Sequence, residues 1–202
     1  MQNGIKPSTL GPVTFMFLKR LTDIFLATTA LVGASPLLLG AALWIKLDSK
    51  GPVIFRQKRI GTNGELFEIY KFRTMREGTP DLATDQMQNL PSPITRSGNF
   101  LRKTSIDELP QLVNVLKGEM SLVGPRPALY NQTELTALRS DAGVLAFPPG
   151  ITGWAQVNGR DELPDPVKVE FDKWYCDHWS YFLDWRIMFE TVFAVVSRRG
   201  AK

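Results

Sequence analysis

"IFLATTALVGASPLLLGAALWI", residues 24–45, runs for twenty-two positions without a charge and carries a Ser35-Pro36 pair near its middle. A helix needs about 20 apolar residues to cross a bilayer, so the length suffices. A cleavable leader has an apolar run of only about 7–15 residues, shorter than this one. Proline is the difficulty. Pro36 has no N–H, and its ring clashes with the Val32 carbonyl, so a helix kinks there. In hydrocarbon the freed carbonyl needs a donor, and the Ser35 hydroxyl is near enough to serve. Charge adds a second constraint, because Lys and Arg concentrate in cytoplasmic flanks. Lys6, Lys19 and Arg20 precede the run, while Lys46, Lys50, Arg56, Lys58 and Arg59 follow it. Both flanks therefore prefer the same side. A kinked spanning helix and a re-entrant hairpin that turns at Ser35-Pro36 both remain open, and the flanks favour the hairpin. Asp23 and Lys46 would then bracket the dip at headgroup depth.

The chain of 202 residues has room for one domain and an anchor, not for two large domains. A net charge of +4 and a pI near 9.3 point to an anionic partner: a phosphate-bearing substrate, a lipid surface or nucleic acid. One cysteine, Cys176, excludes an internal disulfide and a Cys-rich metal site. His178 is the sole histidine, and no nucleophile-elbow glycines accompany it. It reads as a surface histidine among aromatics rather than a catalytic base. No helix-turn-helix, RNP or finger pattern is present, so nucleic acid is not the expected partner.

Beyond the apolar run, "GPVIFRQKRIG" and "GELFEIYKFRTM" predict two short strands joined by a turn at residues 61–64. Residues 77–99 are loop-rich, and a helix is expected from Ser105 to Lys117, ending at Gly118. Residues 128–142 and 165–178 read as helices, with a short strand in "FPPGITGWAQVNG" between them. Near the end, Trp185, Met188, Val192 and Val195 recur at helical spacing, widened by Phe189, Phe193 and Val196. Such a stripe is usually core packing. The aromatics Trp174, Tyr175, Trp179, Tyr181 and Trp185 before it, and Arg198 and Arg199 after it, also suit a helix lying in the headgroup plane.

"RKTSIDELPQL" carries the acids. Ser105 with Glu108 fits a capping box, which by itself accounts for both. Neighbouring helical residues point about 100° apart, so Asp107 and Glu108 suit separate tasks better than a shared proton. A helix N-terminus favours an ionised aspartate and attracts phosphate. Asp107 can attack phosphorus to give an acyl phosphate, and Glu108 can hold Mg2+. Lys71, Arg73, Arg102, Lys103, Arg126 and Arg160 stand at turn or strand ends, several beside Gly or Pro, as a phosphate clamp would require.

"KRLTDI", the Ser35-Pro36 break, "GPVIFRQKRIG", "YKFRTM", "ITRSGNFLRKTSIDELPQLVNVLKGEMSLVGPRP" and "PGITGWAQVNGR" follow one another over residues 19–160. Together they resemble the bacterial sugar transferase family, whose minimal form is the small monotopic phosphoglycosyl transferase. The resemblance implies transfer of a phosphosugar from a UDP-sugar to undecaprenyl phosphate, with release of UMP, as a first membrane step of bacterial glycoconjugate assembly. It implies Asp107 as nucleophile and Glu108 as ligand of a Mg2+ cofactor. It also implies Lys71, Arg102, Arg126 and Arg160 as phosphate or nucleotide contacts, with Pro125-Arg126-Pro127 on the base side.

The expected architecture is a compact, helix-rich α/β cytoplasmic domain with short strands, a re-entrant membrane helix and interfacial amphipathic helices. Residues 1–18 would be a cytoplasmic tail, 19–48 the membrane helix broken at Ser35-Pro36, and 49–202 the catalytic domain. Both termini would lie on the cytoplasmic face of the inner membrane, and a homo-oligomer stays open. The rival is a catalytically silent, membrane-anchored scaffold that binds anionic lipid through its basic face, with residues 107 and 108 as caps only.

Overall fold

The computed structural model describes residues 12–79, 93–159 and 163–196, with side chains from Met16 to Ala194. Arg160, Arg198, Arg199, residues 1–11 and residues 80–92 of the loop-rich stretch lie outside these. Helix α1 spans Pro12–Asp48. A hairpin follows, β1 (Ile54–Ile60) antiparallel to β2 (Leu66–Phe72), with Ile54 opposite Phe72. Next come α2 (Arg96–Lys103), a 3-10 turn at Ile106–Glu108, and α3 (Gln111–Lys117). Strand β3 (Ser121–Val123) pairs in parallel with β4 (Gly150–Thr152), with α4 (Thr133–Asp141) lying between them in sequence. Three helices close the chain: α5 (Trp154–Asn158), α6 (Asp165–Asp177) and α7 (Tyr181–Val196). The result is helix-rich with short strands, as the composition of the segments predicts.

The membrane segment departs from expectation in two ways. Its helix begins at Pro12, and it runs through Pro36 without interruption rather than breaking there. The Ser35 hydroxyl donates to the Val32 carbonyl at 2.8 Å, which is how a proline can sit inside a helix at the loss of only one backbone bond. The charges flanking the helix start are not free for headgroups. Lys19 is buried against Asp184 of α7 at 2.6 Å, and Arg20 donates to the carbonyls of Val115 and Leu116 at the end of α3. Asp23 is buried and accepts the N–H of Leu122 in β3.

The far end of α1 is fastened to the same body. Asp48 accepts the backbone N–H and the hydroxyl of Ser97 at the start of α2. Arg73 donates to the carbonyls of Ser49 and Lys50. Gly51 is required at this corner: its φ is +115°, and a Cβ there would overlap the Arg73 guanidinium. Between the fastenings, Ala27 packs with Ile69, Leu112, Val115 and Met120, while Ala41 and Ile45 pack with Phe72 and Leu101. The middle is bare, with Val32 70% and Leu39 73% exposed.

Asn114, fully buried on α3, closes the free edge of β2 by donating to the Glu68 carbonyl and accepting from the Tyr70 N–H. An exposed strand edge is thereby replaced by a side-chain clamp. The C-terminal core gathers Val123, Tyr175, Leu183 and Ile187. Tyr175 belongs to it, donating its hydroxyl to Asp184 at 2.6 Å, so the aromatic cluster is partly interior rather than a headgroup belt. The stripe on α7 divides as well: Leu183 and Ile187 make the core, while Phe189, Val192 and Phe193 stay more than 60% exposed. His178 stacks on Trp174 at the surface, as expected of a non-catalytic histidine.

Candidate active site

No capping box forms at the acids. Ser105 has φ +56°, in the left-handed region, and its side chain caps nothing. A non-glycine residue there costs on the order of 1–2 kcal/mol. The cost turns the chain sharply between α2 and the 3-10 turn, which carries Asp107 and Glu108. The helix expected from Ser105 is therefore split, with α3 starting at Gln111. Its end is as expected, at Gly118 with φ +89°. Asp107 and Glu108 thus owe their setting to this strained turn rather than to a helix N-terminus.

The two acids have opposite environments. Glu108 accepts from Lys71 and from Arg126, each at 2.8 Å and both on Oε1. Burial alone would push its carboxyl up, but Arg126 and Lys71 together outweigh that and hold it well below the usual carboxylate range. Lys71 is itself pushed down, chiefly by burial. Asp107 is only 9% exposed, and among the described residues no hydrogen bond ties its carboxylate. Burial, with the neighbouring Glu108 charge second, pushes its carboxyl up to about 6, against the pull of Lys71, Arg102 and Arg126. At neutral pH it is mostly ionised and uncommitted: a carboxylate poor in hydrogen bonds is a better nucleophile than a solvated one.

Asp107, Glu108, Lys71, Arg73, Arg102 and Arg126 all line one cleft of about 1510 Å3. Arg73 stands apart in function, since its guanidinium is spent on the Ser49 and Lys50 carbonyls and the Ser49 hydroxyl. Lys71 and Arg126 face the cleft as partners of Glu108 rather than as bare cations. The Pro125-Arg126-Pro127 segment is held by its backbone: its three carbonyls accept from the Gly150 N–H, Arg139 and Arg59 respectively.

Arg139 and Asp172 escaped the sequence reading. Arg139 on α4 is buried and pairs with Asp172 on α6 through Nε at 3.0 Å and Nη2 at 2.6 Å, while Nη1 reaches the Arg126 carbonyl at 2.6 Å. The two residues lie 33 positions apart on polar helices, and no local pattern links them. Arg59 and Gln57, bonded to each other on β1, were read only as strand and flank residues.

Mg2+ is commonly held by one or two carboxylates together with substrate phosphates. Glu108 fits that requirement as one such carboxylate: it has both cations on Oε1, which leaves Oε2 for a metal. No group of three or more acidic, His or Cys side chains clusters for an all-protein cage among the described residues.

The sequence model of the bacterial sugar transferases matches residues 14–198. The chain belongs to the bacterial sugar transferase family. It is 44% identical over 192 residues to the uncharacterized sugar transferase EpsL of Bacillus subtilis (strain 168), covering 92% of this chain and 90% of EpsL. It is 47% identical over 184 residues to the UDP-glucose:undecaprenyl-phosphate glucose-1-phosphate transferase of Escherichia coli (strain K12), covering 87% of this chain but 39% of that protein. With the undecaprenyl-phosphate galactose phosphotransferase of Salmonella typhimurium it shares 40% identity over 201 residues, covering 92% of this chain and 42% of the relative. This sugar transferase therefore spans nearly all of one relative and about two fifths of the other two.

Proposed function

We propose that the chain is a membrane-bound phosphoglycosyl transferase that moves a phosphosugar from a UDP-sugar to undecaprenyl phosphate, releasing UMP. The observation that carries this reading is the pair of acids in the cleft: one buried and uncommitted, one locked between two cations. An Asp107 carboxylate oxygen attacks the sugar-bearing phosphorus. The phosphoanhydride bond to the nucleoside phosphate breaks, its electron pair leaves with UMP, and an aspartyl phosphosugar remains. A phosphate oxygen of undecaprenyl phosphate then attacks the same phosphorus, and the bond from that phosphorus to the Asp107 carboxyl oxygen breaks, its electron pair restoring the carboxylate. One phosphoanhydride is exchanged for another, so no further energy source is needed.

Lys71, Arg102 and Arg126 offset the charge that gathers on the phosphoryl oxygens. Glu108 fixes Lys71 and Arg126 in place, and its Oε2 would hold Mg2+ together with the substrate phosphates. When bound, that ion supplies charge neutralisation on the diphosphate. Arg160 is a further proposed nucleotide contact, with Pro125 and Pro127 framing the base.

The re-entrant placement of α1 belongs to the same proposal. Its start is bonded to α3, β3 and α7, its end to α2, and the two residues after it to Arg73 just beyond β2, all in one body. A straight spanning helix would set these fastenings on opposite sides of about 30 Å of hydrocarbon. The exposed middle, from Val32 to Leu39, is the part that enters lipid. The body and both ends of α1 then lie on the cytoplasmic face, where a nucleotide sugar can reach the cleft.

The test uses purified protein in nanodiscs with Mg2+, undecaprenyl phosphate and a panel of UDP-sugars. Sustained UMP release that requires the acceptor is expected, with at most one UMP per enzyme molecule in its absence. No nucleotide release with any sugar would leave the silent lipid-binding scaffold, and release of UDP instead would mean a different bond is broken.

A further inference from the structure

The lining of the same cleft divides by chemistry into two lobes, and Asp107 and Glu108 line it with them. One lobe comprises the end of β2 and residues 73–79, with Lys71, Arg73, Arg76 and Glu77. The other is mainly apolar, with Leu26 and Ala30 on α1, Met188 and Val192 on α7, and Leu112 and Ile151, interspersed with Thr29, Glu190 and Thr191. Leu26 and Ala30 are four residues apart, so they share one helix face. The apolar lobe begins directly beside the acids, because Leu109, the residue after Glu108, packs in the cluster that includes Ala27, Leu31 and Ile151.

Resting on the function proposed above, we infer that this groove between α1 and α7 holds the first isoprene units of the acceptor, and that the sugar nucleotide occupies the opposite, polar lobe. Charge supports the commitment to this occupant. An amphipathic molecule with an anionic head places its phosphate at the Lys71, Arg102 and Arg126 end, and its hydrocarbon tail has only the apolar lobe to follow. Continuity supports it too. Along the groove Phe189, Val192 and Phe193 on α7 are widely exposed, as is Phe25 on α1 next to Leu26, so the groove adjoins exposed apolar surface. A tail that enters there need never leave an apolar environment between the bilayer and the reacting phosphate. The arrangement also separates the two substrates without a moving lid, since each approaches the sugar-bearing phosphorus from its own side.

Steric filling of the groove tests this. Ala30→Trp and Val192→Trp each put a ring on an exposed wall position, where the fold has no need of the native side chain. Thr28→Trp is the control: Thr28 is exposed on the same helix, and it does not line the cleft. Excluding two or three buried methylenes should raise KM for undecaprenyl phosphate by about tenfold or more. KM for the UDP-sugar, which occupies the opposite lobe, should stay parental, as should the Thr28→Trp kinetics. Undecaprenyl phosphate kinetics within about twofold of parent in both groove variants would overturn the placement. A second measurement is independent of turnover. A polyprenyl phosphate carrying a diazirine on its third isoprene unit should crosslink to residues 26–30 and 188–194. Labelling confined to other peptides would sink the groove even in an active enzyme, while labelling here without UMP release from any UDP-sugar would instead sink the proposed reaction.

Discussion

Asp107, the proposed nucleophile, joins two properties that pull against each other: the burial that leaves a carboxylate reactive also makes its charge costly to the fold. Its carboxyl sits at about 6 in the folded protein against an ordinary 3.8. Between those values the folded state binds the proton more tightly than the unfolded chain does, so stability falls as pH rises through the window. At neutral pH the ionised group is a net burden. Asp107→Asn should therefore abolish turnover and yet raise stability at pH 7.5, by at most about 3 kcal/mol for a shift of about two units. The gain should vanish near pH 4, where the parent carboxyl is protonated as well. Thermal unfolding of both proteins at the two pH values is the check, and an Asn variant no more stable at pH 7.5 would mean the charge is well solvated. Parental turnover should itself climb as pH rises through about 6, in step with ionisation of Asp107.

At the scale of elements, α4 and α6 brace the loop that carries Arg126. Arg139→Met would strand the buried Asp172 charge and cost about 3–5 kcal/mol. Adding Asp172→Leu removes that charge and should recover most of the stability, as apolar replacement of buried pairs often does. Activity should not recover, because the Arg126 carbonyl still lacks its donor, and a displacement of about 1 Å at a reacting site can cost about a hundredfold. A double variant with parental kcat would show the brace to be dispensable. This brace also marks what a sequence can and cannot reveal. The β1–β2 hairpin, the stop at Gly118 and the helices near 133, 165 and 181 follow from periodicity, glycines and turn residues, which act over a few positions. Lys71, Asp107, Glu108 and Arg126 were found as types beside turns, but that Glu108 takes both cations is a fact of tertiary contact. Ser105 read as a cap because its spacing to Glu108 suits one, and a left-handed φ leaves no trace in spacing. Lys19 and Asp23 read as flanking charges for the same reason, since their partners are nearly a hundred residues or more away.

For the molecule as a whole, the anchoring of both ends of α1 to one body makes a topological prediction. In a Cys176→Ser background, single cysteines at Met16 and at Lys50, both exposed in the native protein, should resist an impermeant thiol reagent applied to intact cells. Both should be labelled in inverted membrane vesicles. Labelling of either one from outside would mean that α1 crosses the bilayer. Ser35→Ala/Pro36→Ala, which restores a continuous ladder of backbone bonds, should leave this pattern unchanged, because the ion pair of Lys19 and the bonds of Arg20 and Asp48 would still hold the ends together.

Those fastenings also impose an order on biosynthesis. Lys19 leaves the ribosome 165 residues before the aspartate that neutralises it. At about 5–20 residues per second, the interval is on the order of 10–30 s. During that time the lysine beside an apolar segment long enough to insert has no carboxylate to meet it. The fastenings close in chain order instead: Asp48 to Ser97, Arg20 to the end of α3, Asp23 to β3, and Lys19 to α7 last. A chain cut short before Ser97 would carry an anchor with neither of its ends yet fastened.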